Sequence, residues 1–190
     1  MIRFVIIGHK ATTNPNFPLN DMPGMAGRMD VLCRCVNSTF FLSHDLRRNT
    51  ECYLILQGDS VTQTICFSGK TLKSLNPDER SSGALIKKGL SIMNTSSEYK
   101  FAGPGIAIRT DGLKRLLSEY SFAILDENGK DIRDVDELPE NYILSDHLNF
   151  TEEEEELFKE LPRYSVGPRV LHADHAITVI LNEFDRRGLE

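Results

Sequence analysis

Apolar residues are arranged along the chain in two rhythms. Short runs at residues 3–7, 52–56, 64–67, 105–108, 122–125, 142–144 and 164–166 have strand length and are rich in β-branched and aromatic side chains. Between them, apolar spacings of three and four predict helices over residues 28–41, 78–93, 112–120, 152–161 and 173–187. The first helix carries Val31, Leu32, Cys35, Val36, Thr39 and Phe40 on one face, and the last carries Ala176, Ile177, Ile180, Leu181 and Phe184. Thr151-Glu152-Glu153-Glu154 reads as a capping box, with its glutamates complementing the helix dipole. Strands alternating with helices predict an α/β fold with an at least partly parallel sheet flanked by helices. No linker, repeat or composition break divides residues 1–190, which read as one domain. Residues 126–131 look like a tight turn around Asn128-Gly129, and residues 131–141, acidic and containing Pro139, look like a surface connection.

Charge changes this picture in one respect. The net charge is −6, which taken whole argues against a nucleic-acid partner. Residues 1–110 hold 13 Lys/Arg against 8 Asp/Glu, whereas residues 111–190 hold 9 against 20. The first part can therefore face an anionic partner and the second cannot do so broadly. No stretch has the length of a membrane span, and residues 1–8 read as a first strand rather than a signal peptide, so a soluble cytoplasmic protein is expected. Cys33, Cys35, Cys52 and Cys66 have no paired C-x₂-C spacing, which predicts reduced, mostly buried thiols. His172 and His175 have no third ligand nearby, and no metal site is expected.

Candidate chemistry gathers in three places. The last third twice shows a strand ending in small and polar residues before a helix: Ser145-Asp146-His147, then Ser165-Val166-Gly167-Pro168 ahead of His172-Ala173-Asp174-His175-Ala176. That is how open α/β sheets form a ligand crevice, although no G-x-G-x-x-G stands in either place. Near the first helix, a loop with Pro23, Gly24 and Gly27 delivers Arg28 and Asp30 to the first turn, with Arg34 one turn later. An ionised Asp30 among cations can serve as a base or hold a polar N–H; the plain alternative is a helix-terminal carboxylate with surface arginines. Third, His44, Arg47 and Arg48 follow the aromatic pair Phe40-Phe41, which suits an RNA backbone but also suits an ordinary helix C-terminus.

The run GRMDVLCRCVNSTFFLSHDLRR, the Asn76-Pro77-Asp78-Glu79-Arg80 stretch and the HADHAIT segment resemble, in order, the archaeal tRNA pseudouridine N1-methyltransferases over essentially the whole chain. More distantly, Arg28 and Asp30 resemble the Arg-x-Asp feature of the Nep1-type ribosomal RNA enzymes. The resemblance implies a SPOUT-type α/β knot, a homodimer whose two-fold interface helps to build each site, and methyl transfer from S-adenosylmethionine (SAM) to N1 of pseudouridine 54 in the tRNA T-arm. It implies a cofactor pocket around Leu125, Ser145, Ser165, Val166, Gly167, Pro168, Arg169, Val170, Leu171 and Ala176. Asp30 would then be the catalytic group, with Arg28, Arg34, His44, Arg47 and Arg48 toward RNA. Two departures stand out: Ser145 where many relatives have Gly, and Ala176 where Cys is usual. N1 of pseudouridine is itself the nucleophile, so no enzyme thiol is required. The rival readings are ribosomal RNA methylation and an inactive SPOUT-fold RNA-binding protein.

Overall fold

The strand-forming runs assemble into a single eight-stranded sheet in the computed structural model, which describes residues 1–189. The strands are β1 (Ile2–Gly8), β2 (Thr50–Leu56), β3 (Gln63–Ser68), β4 (Lys100–Gly103), β5 (Ile106–Arg109), β6 (Ala123–Asp131), β7 (Asn141–Ser145) and β8 (Arg163–Ser165). Their spatial order is β4-β5-β3-β2-β1-β7-β6-β8. Five strands, from β2 through β1, β7 and β6 to β8, run parallel; β3, β5 and β4 extend the sheet antiparallel.

The helices are α1 (Met22–Met25), α2 (Met29–Phe40), α3 (Glu79–Leu90), α4 (Leu113–Glu119), α5 (Glu152–Leu157) and α6 (Ala173–Arg186). They cover both faces of the sheet, which is why the central strands are apolar throughout rather than alternating. Phe4, Ile6, Cys52, Leu54, Tyr142 and Leu144 point toward α2, α3 and α6. Val5, Ile7, Tyr53, Ile55 and Ile143 point the other way, toward Leu113 and Leu116 of α4 and Phe158 after α5.

Two features differ from the sequence reading. The strand β4 is absent from the sequence reading because Lys100 and Phe101 are exposed and Gly103 precedes a Pro104-Gly105 turn, so its four residues carry no apolar rhythm. The segment around Asn128-Gly129 is not a hairpin turn. β6 runs through it, and both Leu125 and Lys130 pair with Tyr164 of β8, so residues 126–129 bulge from the ladder. Gly129 is required there, since a Cβ would lie 2.5 Å from the Tyr164 nitrogen. The apolar face of α6, by contrast, is buried within the chain against α2 and the sheet as a core-facing stripe, leaving His175, Thr178, Asn182 and Asp185 outward. Cys33, Cys35 and Cys52 are buried and Cys66 half-buried, all as thiols, and burial pushes that of Cys52 up to about 12.

Candidate active site

Parallel strands that stop together leave a gap where the chain turns away. Here β6, β7 and β8 end beside a crevice of about 550 Å³, within the usual range for small-molecule sites. Its walls are the bulge of β6, the loop after β7, and the loop between β8 and α6. Leu125, Ser145, Ser165, Val166, Gly167, Arg169, Val170, Leu171 and Ala176 all line it; Pro168 does not. The loops are shaped by local chemistry. The Ser145 hydroxyl donates to the Leu148 carbonyl, closing the turn after β7. Gly167 takes φ +151° with open space on its side-chain side, so that turn faces the crevice with bare backbone. Val170 and Leu171 leave 74% and 40% of their surface uncovered, which is unusual for aliphatic side chains beside a cavity.

From the other side α2 contributes Arg28 and Val31. Arg28 is a left-handed residue, φ +65°, directly after left-handed Gly27, a strained conformation that turns the chain into α2. Its guanidinium grips Asp30 with both arms, Nε to Oδ1 and Nη2 to Oδ2, each at 3.0 Å. Arg34 adds a further bond to Asp30 Oδ2 at 3.0 Å and reaches Glu79 at 3.2 Å. Asp30 is thus 3% exposed and behind the crevice, not on its surface. Burial alone would raise its pKa, but the two guanidiniums outweigh that and hold it below the usual carboxylate range. A carboxylate so held is a durable anion and a weak base.

The structure brings further residues to the crevice, Asp126, Glu127, Asn128, Asp146, His147 and Tyr164 among them; Asp146 and His147 belong to the strand end singled out in the sequence, and the others were missed. The polar strand end at Asp146-His147 was the signal for two of these; the bulge residues gave none because they resembled a turn. Below the wall lies a further unpredicted group. His9, just past β1, sits between Asp146 and Glu154, with Nδ1 3.0 Å from Asp146 Oδ1 and Nε2 2.9 Å from Glu154 Oε2. Burial disfavours the imidazolium, yet the bonds to both carboxylates raise its pKa to about 9.

The cluster His44, Arg47 and Arg48 does not join this site. Arg47 forms a two-armed ion pair with Asp185 of α6, at 2.7 and 2.5 Å, beside a separate depression between α2 and α6. Arg48 donates to the carbonyls of Gly69 and Leu72 and to Asp45. Both guanidiniums thus have partners within the chain, while the Arg48 side chain stays half-exposed and His44 is exposed. His172 and His175 stack edge to face at 5.9 Å. Among the described residues no helix is long and apolar enough to cross a membrane.

A family model described as "Putative SAM-dependent RNA methyltransferase" matches residues 1–189. The chain belongs to this family. Among SAM-dependent RNA methyltransferases it is 67% identical, over 99% of its length and 98% of the relative's, to the tRNA (pseudouridine(54)-N(1))-methyltransferase of Methanocorpusculum labreanum. It is 48% identical to the protein of that name from Methanospirillum hungatei, covering 98% of this chain and 97% of the relative. The crystal structure of Archaeoglobus fulgidus Nep1 bound to S-adenosylhomocysteine superimposes with a TM-score of 0.67 at 14% identity, covering 100% of this chain and 99% of that one. At that identity the likeness speaks to the fold, the SPOUT-type α/β architecture expected from the sequence.

Proposed function

We propose that the chain transfers a methyl group from SAM to N1 of pseudouridine 54 in the tRNA T-arm. What carries the reading is the meeting, at one crevice, of bare strand-end backbone with an arginine held by a buried carboxylate; the names of relatives at 67% and 48% identity point to the same reaction.

The crevice suits the cofactor. Leu125, Val166, Leu171 and Ala176 offer apolar contact to an adenosine, and the backbone around Ser165 and Gly167 offers hydrogen bonds to its ring edges. SAM supplies an electrophilic methyl group on a sulfonium. Ala176 presents only a methyl group to this wall, and the transfer requires no enzyme thiol there. The chain's own residues position the nucleoside and handle its proton. Arg28 faces the crevice and is suited to a phosphate or a uracil carbonyl. Asp30, the group expected to relay the proton, acts in this reading chiefly through Arg28, keeping it oriented and compensating its charge while the N1 proton leaves through the open mouth of the crevice. Such a substrate would place the protein in the cytoplasm.

Two structural elements belong to the same proposal. A knotted C-terminal part is the topology that the family resemblance implies for β6, β7, β8 and α6. A homodimer would use the outward polar face of α6 and the uncovered Val170 and Leu171. Nep1-like action on ribosomal RNA has behind it the fold likeness and the Arg-x-Asp resemblance at Arg28 and Asp30.

The test is single-turnover transfer of labelled methyl from SAM to synthetic T-arm RNA, followed by nucleoside mass spectrometry. N1-methylpseudouridine is expected with pseudouridine at position 54 and no product with uridine there. Equal transfer to both, or transfer only to a ribosomal hairpin, overturns the reading.

A further inference from the structure

The loop of residues 145–150 forms one wall of the crevice, and a single side chain secures it from beneath. His9 leaves β1 and meets Asp146 twice: its backbone N–H donates to Oδ2 at 3.0 Å, and its ring Nδ1 lies 3.0 Å from Oδ1. Its other ring nitrogen is 2.9 Å from Glu154 Oε2, and that oxygen also accepts the Thr151 N–H of the α5 capping box. Asp146 Oδ1 accepts the Leu148 N–H at 3.0 Å, so the carboxylate that His9 holds in turn shapes the wall. The side chains of His9, Asp146 and Glu154 are 7%, 1% and 8% exposed. A neutral imidazole donates from one nitrogen only, whereas two carboxylates facing two nitrogens are both satisfied by the doubly protonated ring. His9 does not line the crevice, and the methyl transfer described above gives it no task.

We propose that His9 is a positioning residue for the cofactor: as an imidazolium it clamps residues 145–150 in the arrangement that binds SAM, and losing its proton releases that wall. The proposal rests on the crevice being the cofactor site. The groups facing the clamp are Asp146 and His147 from the loop, Glu154 from α5, Gln57 after β2, and Arg28 through its field at Asp146. The carboxyls of Asp146 and Glu154 are held below their usual range by His9 and by backbone donors, although burial opposes this. Within the buried trio, then, only His9 changes charge above neutrality. If protonation of His9 favours cofactor binding, the cofactor must equally favour protonation of His9.

That reciprocity is measurable without a mutation. The His9 ring is titrated by NMR in the intact protein, alone and saturated with S-adenosylhomocysteine, while calorimetry follows affinity across the same pH range. The expected result is a His9 pKa raised by about one unit on saturation, matched by a roughly tenfold loss of affinity as pH rises through it. Glu154→Gln keeps the size and the hydrogen-bonding shape but removes one counter-charge, so it should move the alkaline limb of affinity toward neutrality. His9→Gln should bind about tenfold more weakly at pH 7 and lose the limb altogether. A clamp that is merely structural would lower the melting temperature of these variants yet leave the His9 pKa the same with and without ligand. That result, with ligand-induced shifts at Gly167 and Leu171, overturns the proposal alone. Binding that leaves Gly167 and Leu171 unmoved overturns the cofactor site and the proposal together.

Discussion

Asp30 illustrates how far one carboxylate can act without touching a substrate. Replacing it with Asn keeps the volume but leaves Arg28 facing a single weak acceptor, while Arg34 retains Glu79. Because Arg28 and Arg34 are partly exposed, the cost to folding is about 1–3 kcal/mol, a few degrees in melting temperature. Turnover should fall further, by roughly 10–100-fold, through a misplaced Arg28. Thermal melting beside single-turnover methylation separates the two, and a variant that melts normally and turns over normally would remove Asp30 from the mechanism. His9 makes a second residue-scale prediction, about stability rather than binding. Its pKa lies at about 9 in the folded chain against 6.5 ordinarily. A raised pKa stabilises fully below the lower value and is lost as pH climbs through the higher. The melting temperature should therefore decline between pH 6.5 and 9, and this decline should vanish in His9→Gln. Neither role could be read from the residues alone. Asp30 was visible as a charge beside arginines, but its burial depends on how α2 docks. His9 was silent, since its partners lie far along the chain at Asp146 and Glu154.

At the scale of elements, the loop from β8 to α6 was the most legible part of the site. Its small residues end a strand where open α/β sheets place ligands, and nine of the ten residues assigned to the cofactor do line one cavity. Gly167→Val tests it. A β-branched side chain at φ +151° is strained and would project into the open space beside that turn, so SAM binding should be abolished while the fold persists. Calorimetry with SAM decides, and unchanged affinity would displace the pocket. Less legible was the connection from α2 to β2. An Arg47-Arg48 pair after aromatics looks the same whether it waits for phosphate or closes a helix end. Here the Arg47–Asp185 pair joins that connection to the C-terminal turn of α6. Arg47→Ala should lower the melting temperature by about 1–4 °C and leave the salt dependence of RNA binding unchanged. A slope reduced by about one unit would restore Arg47 as a phosphate contact.

For the molecule as a whole, the unequal charge of its two parts has an internal explanation. Cations of the first part meet carboxylates of the second: Arg47 with Asp185, Arg34 with Asp174, and His9 with Asp146 and Glu154. The asymmetry that suggested an anionic partner is thus partly spent within the chain, something a count of charges along the sequence has no means to show. The fold class was legible because the central strands are apolar on both faces. The order of strands was not, because periodicity carries no information about which strand lies beside which. That order has a temporal consequence. β1 leaves the ribosome before the other strands of the sheet, yet it lies between β2 and β7, so one edge of a central strand stays open until residues 141–145 have been synthesised. At about 5–20 residues per second, roughly 7–27 seconds pass with an apolar strand edge exposed in a nascent chain that cannot yet finish its own core.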